Sequence, residues 1–168
     1  MDIDQLVNLV VARLQRRFHS QRTVDFTDIM TIDDRVLVDN ARITVDDVSV
    51  FALKKLMMLD EDDAFTRFVL AGIGLGTDVT LRVNFAEVNL IPEKLIVDWP
   101  VKIELATQQQ VVSVPGRFLT RSDIMNLPEQ AVLIKTRSQL LTQLAEDTVR
   151  QQKIQVMERM NQSCIWQK

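Results

Sequence analysis

The apolar positions of the opening segment, MDIDQLVNLVVARLQRRF, recur at helical spacing. Placed at about 100° per residue, Ile3, Leu6, Val7, Val10, Val11, Leu14 and Phe18 fall within an arc of roughly 140°. Asp4, Gln5, Asn8, Ala12, Gln15 and Arg16 fill the other side, and Leu9 strays from the stripe. Asp2 and Asp4 suit the positive end of a helix dipole, and Arg13, Arg16 and Arg17 suit its negative end. The spacing therefore predicts an amphipathic helix over residues 3–18. A helix this short is marginal in water on its own, and its valines lower its propensity further. It needs a groove, either on its own domain or on a partner.

Further along, "HSQRT" reads as a polar break of about five residues. "RVLVDNARITV" predicts a hairpin, with strands at Val36–Val38 and Ile43–Val45 and a turn at Asp39-Asn40. Asp46 or Asp47 can cap the next helix, whose apolar positions include Val50, Leu53, Leu56 and Met57. "DEDDAFTRFVLAGIG" predicts another helix, with an acidic start and a glycine stop. Val79–Val83 alternates with Thr80 and Arg82, as a strand with one wet face does. Pro92 can open a short helix with Glu93 and Lys94 behind it.

Val101–Leu105 and Val111–Val114 flank "ATQQQ" and predict a second hairpin. Thr120 or Ser122 can cap a short helix through Met125. Ala131–Lys135 predicts a buried strand, and Ser138 the cap of a helix carrying Leu140, Leu141, Leu144, Ala145, Thr148 and Val149. "KIQVMER" fits a strand or a helical continuation; periodicity does not separate them over so few residues. Trp99 is expected in the core, whereas Ile165-Trp166 is an apolar spot on a polar tail that folds back or meets a partner. Helices thus interleave with strands, partly as βαβ units and partly as hairpins. The expectation is an α/β fold, a mixed sheet covered by helices. Residues 1–20 form the amphipathic N-terminal helix, and residues 21–168 a single α/β domain.

The chain's 168 residues suit one domain with a sizeable core. Its net charge of −3 gives no basic excess for nucleic acid. Acids crowd the stretch from Asp25 to Asp63, where they read as loops and helix starts, or as an acidic face that helps select a partner. The single cysteine, Cys164, cannot form an intramolecular disulfide, which points to a reducing cytoplasm. The first residues lack a signal peptide's basic region and cleavage site, and no apolar run is long enough to span a membrane.

No catalytic constellation emerges. "GIGLGT" (Gly72–Thr77) misplaces the third glycine of a dinucleotide fingerprint and follows a helix where the fingerprint follows a strand. It reads instead as a helix stop and a tight turn. His19 is the sole histidine, and no Cys/His spacing supports a metal site. Asp33-Asp34 and Asp46-Asp47 are sequence neighbours and make poor carboxylate dyads. Asp60–Asp63 lacks the alternating ligands and central glycine of a calcium loop, so helix capping accounts for it better. Ser113, Ser122, Ser138 and Ser163 have no nucleophile-elbow context, and Cys164 reads as a bystander thiol. Catalytic, metal and cofactor residues are accordingly none.

"GTDVTLRVNFAEVNLIPEKLIVDWPVKIEL" has the order strand, Leu-x-Pro-x-Lys-x-Leu, Pro and strand. With "FLTRSDIMNL", "AVLIKTRSQLLTQLAEDTVRQQKI" and the opening "LVNLVVARLQRR", it resembles the propanediol-utilisation microcompartment protein M (PduM) family. The resemblance covers nearly the whole chain and is weaker between about Thr23 and Asp63. Basic residues and a cysteine are common in that family before the last helix. Lys135 and Arg137 remain here, and the cysteine does not. The resemblance implies a non-catalytic component of a bacterial microcompartment in the cytoplasm, needed for assembly of the protein-shelled organelle. Its partners would be shell proteins and encapsulated enzymes, with no nucleic acid and no membrane. Short amphipathic N-terminal helices direct cargo to such shells, and residues 2–18 look like one.

Ile3, Leu6, Val7, Val10 and Leu14 are then the expected contacting seam. The competing reading packs the same helix across its own sheet. Membrane attachment is a third, which the acidic front and the few arginines disfavour. An alternative function is a flavin- or nucleotide-binding accessory enzyme, with its ligand at the carboxyl ends of parallel strands near Ser138 and Thr142.

Overall fold

The structure, a computed structural model, describes residues 2–159. Ser163, Cys164 and Ile165-Trp166 lie outside the described residues. Helix α1 spans Ile3–His19 and runs into strand β1, Gln21–Asp25. A 3-10 turn at Phe26–Met30 leads to a short helix α2, Arg35–Asp39. Strand β2 (Arg42–Val48), helices α3 (Val50–Met57) and α4 (Ala64–Gly74) and strand β3 (Asp78–Val83) follow. Helix α5 (Glu93–Val97) precedes the β4–β5 hairpin, Val101–Glu104 and Gln110–Ser113. The remainder is β6 (Phe118–Leu119), α6 (Arg121–Met125), β7 (Val132–Thr136), β8 (Leu140–Leu141), α7 (Gln143–Gln151) and β9 (Gln155–Arg159).

Among the described residues, seven strands form one mixed sheet in the order β1-β2-β3-β4-β5-β7-β9. All neighbours are parallel except β4 and β5, which are antiparallel. The expected α/β architecture is present, including the N-terminal helix. Each crossover steps one strand further across the sheet. Because β5, β7 and β9 run opposite to β1–β4, the right-handed crossover rule sends their helices to the other face.

Burial agrees. Val45, Leu81, Ile103, Val111, Val132 and Ile134 share one core with Leu53, Leu56, Phe68 and Leu95 from α3, α4 and α5. Alternate residues Val112 and Leu133 point to a second core with Ile124 of α6 and Ala145 of α7. Each fully buried aliphatic side chain contributes about 1.5–3 kcal/mol.

Helix starts are fixed by side chains. Ser49 accepts from Ala52 N–H, Asp63 from Thr66 N–H and Thr142 from Ala145 N–H. Thr120 and Asp123 form a reciprocal capping box on α6. Gly76, at φ +66°, makes the turn out of α4, and Pro92 opens α5.

Several sequence expectations are corrected. "HSQRT" is no break: it enters β1, an edge strand whose single buried residue, Val24, gives no alternation to read. Val36–Val38 is not a hairpin strand but lies in α2, where Val36 and Leu37 bury together on one side. A run of three apolar residues fits either period. Ser49, not Asp46 or Asp47, caps α3: Asp46 pairs with Arg82, and Asp47 sits at φ +61°. Thr142, not Ser138, caps α7, and Leu140–Leu141 pairs with β6 as a two-residue strand. "KIQVMER" resolves as β9, and Trp99 packs against the first core.

Two outcomes test this packing. A Cβ added at Gly72 would lie 3.0 Å from Val79 Cγ2 and 3.4 Å from Leu37 Cδ2, whereas one at Gly74 would meet nothing. Gly72→Ala is expected to lose about 1–3 kcal/mol, and Gly74→Ala to be neutral or stabilising, both read from thermal unfolding. Asp63 provides the pH test. Burial pushes its carboxyl up, but the Lys55 bond at 2.8 Å, the Thr66 N–H, the Lys55 charge and the Thr66 hydroxyl together hold it below 3.8. A depressed carboxylate stabilises the fold above its unfolded pKa, and that contribution is lost as pH falls through the folded value. Asp63→Asn, which keeps a capping oxygen, should be less stable than the natural protein at neutral pH. In urea titrations the difference should close as the pH drops below 3.8.

Candidate functional site

Helix α1 buries none of its residues. Ile3, Leu6, Val7, Leu9, Val10, Val11, Leu14 and Phe18 are each between 45 % and 75 % exposed. Ile3, Leu6, Val7, Val10 and Leu14, the expected seam, lie together on that open stripe. They do not pack on the sheet of their own chain. An apolar surface of this extent on a single helix is uncommon on a soluble domain and marks contact surfaces.

The helix is held by its foot, and the foot is polar. Arg17 Nη2 donates to the Leu75 carbonyl at 2.9 Å and to Thr77 Oγ1 at 3.2 Å. Thr77 is buried and its hydroxyl donates to the Leu37 carbonyl at 3.2 Å. Ser20 Oγ lies 2.7 Å from the carbonyl oxygens of both Arg17 and Asp39, with one proton to give to either. Arg13 Nη2 pairs with Asp39 Oδ1 at 2.9 Å; both groups are exposed, so the pair contributes at most about 1 kcal/mol. A shallow groove between α1 and α2, lined by Leu9, Arg13, Arg16, Arg17, Ser20 and Asp39, runs along this foot.

The footing was not legible in the sequence. Arg17 and Thr77 are 60 positions apart, and no local pattern joins them. The segment Gly72–Thr77, with its incomplete dinucleotide fingerprint, proves to be the end of α4 and the turn that receives Arg17. His19 is exposed at the end of α1, its ring edge-on to Phe18 at 5.3 Å. No cluster of metal ligands occurs among the described residues.

A second feature lies at the carboxyl ends of β5 and β7. A crevice of about 390 Å³ is walled by Ser113, Gly116, Arg117, Thr136, Ser138 and Gln139, with Glu93 and Val97 of α5 opposite. Ser138 Oγ is 3.0 Å from Thr136 Oγ1, and Gln139 Nε2 donates to the Val114 and Gly116 carbonyls at 2.7 and 2.8 Å. Thr142, the other expected residue, spends its oxygen on the cap of α7 and does not line the crevice.

The face of β1–β4 away from α3–α5 is polar. Thr23, Thr44, Thr80 and Lys102 form one row across it, in register. In the next, Arg82 binds Asp46 at 2.7 Å and Glu104 at 3.1 Å. Elsewhere, Lys135 and Arg137 hold the Glu158 carboxyl below its usual range. Arg159, buried at the end of β9, donates to the Asn89 and Ile91 carbonyls at 3.0 and 2.7 Å and pins the segment before α5 to the sheet edge. Among the described residues no helix is long and apolar enough to cross a membrane.

A family model described as "Putative propanediol utilisation" matches residues 5–155. No curated protein and no solved structure matches the chain.

Proposed function

The chain belongs to this propanediol-utilisation family, and from that membership we propose that it is a non-catalytic assembly protein of a bacterial microcompartment, joining shell and cargo through protein–protein contacts. The observation that carries the reading is the open apolar stripe of α1, anchored by polar groups at its base. Ile3, Leu6, Val7, Val10 and Leu14 are the residues that enter a partner's groove, in the manner of an amphipathic helix laid into an apolar cleft. The partners are shell proteins and encapsulated enzymes, and the place of action is the microcompartment itself. The α/β body supplies a rigid mount that fixes where the helix leaves the surface.

The crevice at the ends of β5 and β7 supports a second reading, an accessory enzyme that binds flavin or nucleotide beside Ser138. An absorbance spectrum of the purified protein and a thermal-shift series with nucleotides separate the two. A protein without chromophore that no nucleotide stabilises leaves the second reading without support.

The docking reading predicts that Leu6→Asp combined with Val10→Asp releases the protein from purified compartments. Because both side chains are exposed, the melting temperature of the body should stay within a degree or two, corresponding to the usual surface effect of about ±0.5 kcal/mol. A doubly substituted protein that still co-purifies with shells would remove the basis for the reading.

A further inference from the structure

Leu9 strays from the apolar stripe of α1, and its neighbours on the helix surface are arginines. Leu9, Arg13, Arg16 and Arg17 lie within an arc of about 100°, along the flank of the stripe. With Ser20 and Asp39 they line the groove between α1 and α2, whose volume is about 540 Å³. The groove is poor in acceptors. Its one carboxylate, Asp39, takes Arg13. Arg17 gives Nη2 to two neutral groups, the Leu75 carbonyl and the Thr77 hydroxyl, so its place is fixed while its charge goes unanswered. Its Nε is buried and has no hydrogen-bond partner among the described residues. Arg16 donates to the Ala12 carbonyl at 3.4 Å and pairs with no carboxylate among the described residues. Three guanidinium groups thus face one carboxylate. The negative pole of α1 offsets about half a charge more, and more than one positive charge is left over in the groove.

We propose that this groove binds the phosphoryl group of a small phosphate monoester. Near neutral pH such a group carries about −1.5 to −2 charges, which matches the surplus, whereas a single carboxylate would leave part of it uncompensated. The planar guanidinium fork suits phosphate oxygens, and charge-assisted bonds of this kind are the strong ones. Arg17 is already held by its own chain, so little ordering is lost when the ligand arrives. Arg16 is the free arm that closes on it, and Leu9 offers an apolar wall to the carbon body of the ester. The site lies beside the seam of Ile3, Leu6, Val7, Val10 and Leu14 without using it, and it depends on no shell or cargo partner.

Isothermal titration calorimetry of the full chain with inorganic phosphate, butyl phosphate and acetate, at low and constant ionic strength, tests the proposal. Phosphate should bind with a dissociation constant of about 1 mM. Butyl phosphate should bind several-fold tighter, acetate about tenfold weaker, and added salt should weaken all three. Arg16→Gln should raise the phosphate dissociation constant about tenfold, equivalent to about 1.4 kcal/mol. Asp39→Asn should lower it, because the competing carboxylate is gone. Both side chains are exposed, so the variants should keep the melting temperature of the natural protein. The proposal is overturned by phosphate that does not saturate below roughly 10 mM, by acetate that binds as tightly, or by butyl phosphate that binds no better than phosphate. Affinity unmoved by Arg16→Gln, or reduced by Asp39→Asn, overturns it as well. Both variants keep the apolar seam and should still co-purify with shells, so loss of phosphate binding and loss of docking are read separately.

Discussion

Between β4 and β5 the chain turns back on itself, with Leu105 N–H bonded to the Gln109 carbonyl at 2.9 Å, and the only antiparallel neighbours of the described sheet result. That reversal divides the molecule. Every strand still adds to the growing edge, but its direction is inverted, so a right-handed crossover carries α6 and α7 to the face opposite α3, α4 and α5. One sheet therefore needs two apolar cores, and β7 supplies both: Val132 and Ile134 face one, and Leu133 the other. Its first three residues, Val132, Leu133 and Ile134, are a continuous apolar run because both faces of the strand are covered there. Strands β2 and β3 alternate apolar and polar residues because one of theirs is not.

The same division decides what the sequence can disclose. Where one physical signal dominates, the reading matches the fold. DEDDAFTRFVLAGIG has an acidic cap, a helical stripe and a glycine stop, and the ATQQQ turn sits between two β-branched runs. Where two signals compete over three or four residues, the outcome depends on packing that the sequence does not show. Val36–Val38 has strand-forming residues, yet it lies in α2, where Val36 and Leu37 are both buried. The edge strand β1 has one buried side chain and borrows its order from pairing with β2. The candidate site divides in the same way. Its seam is local and periodic, hence visible. Its footing joins Arg17 to Leu75 and Thr77, a long-range polar contact without local signature.

The footing also bears on how α1 can act. A short, valine-rich helix is marginal by itself, and an apolar anchor would steady it by consuming the stripe. Polar anchorage by Arg17, Ser20 and Arg13 avoids that conflict, because it is made through guanidinium and hydroxyl groups and leaves the apolar side chains of the helix exposed. The consequence is that α1 is ordered at its base and least supported toward Ile3. Any binding partner must supply the remaining order, so part of the contact energy goes into holding the helix rather than into affinity.

The open face of the β1–β4 half offers α1 no alternative seat. It carries Arg82 between Asp46 and Glu104, and Lys102 beside Asp78, along a row of threonines. Laying seven apolar side chains over these groups would strip water from ion pairs that are now partly solvated, and desolvation of such charges costs several kcal/mol per ion unless new polar partners replace the water. Valines and leucines provide none. The polar face and the apolar helix are therefore mutually excluding surfaces of one chain. The sheet can remain solvated on that side, and the apolar side chains of α1 stay exposed away from it.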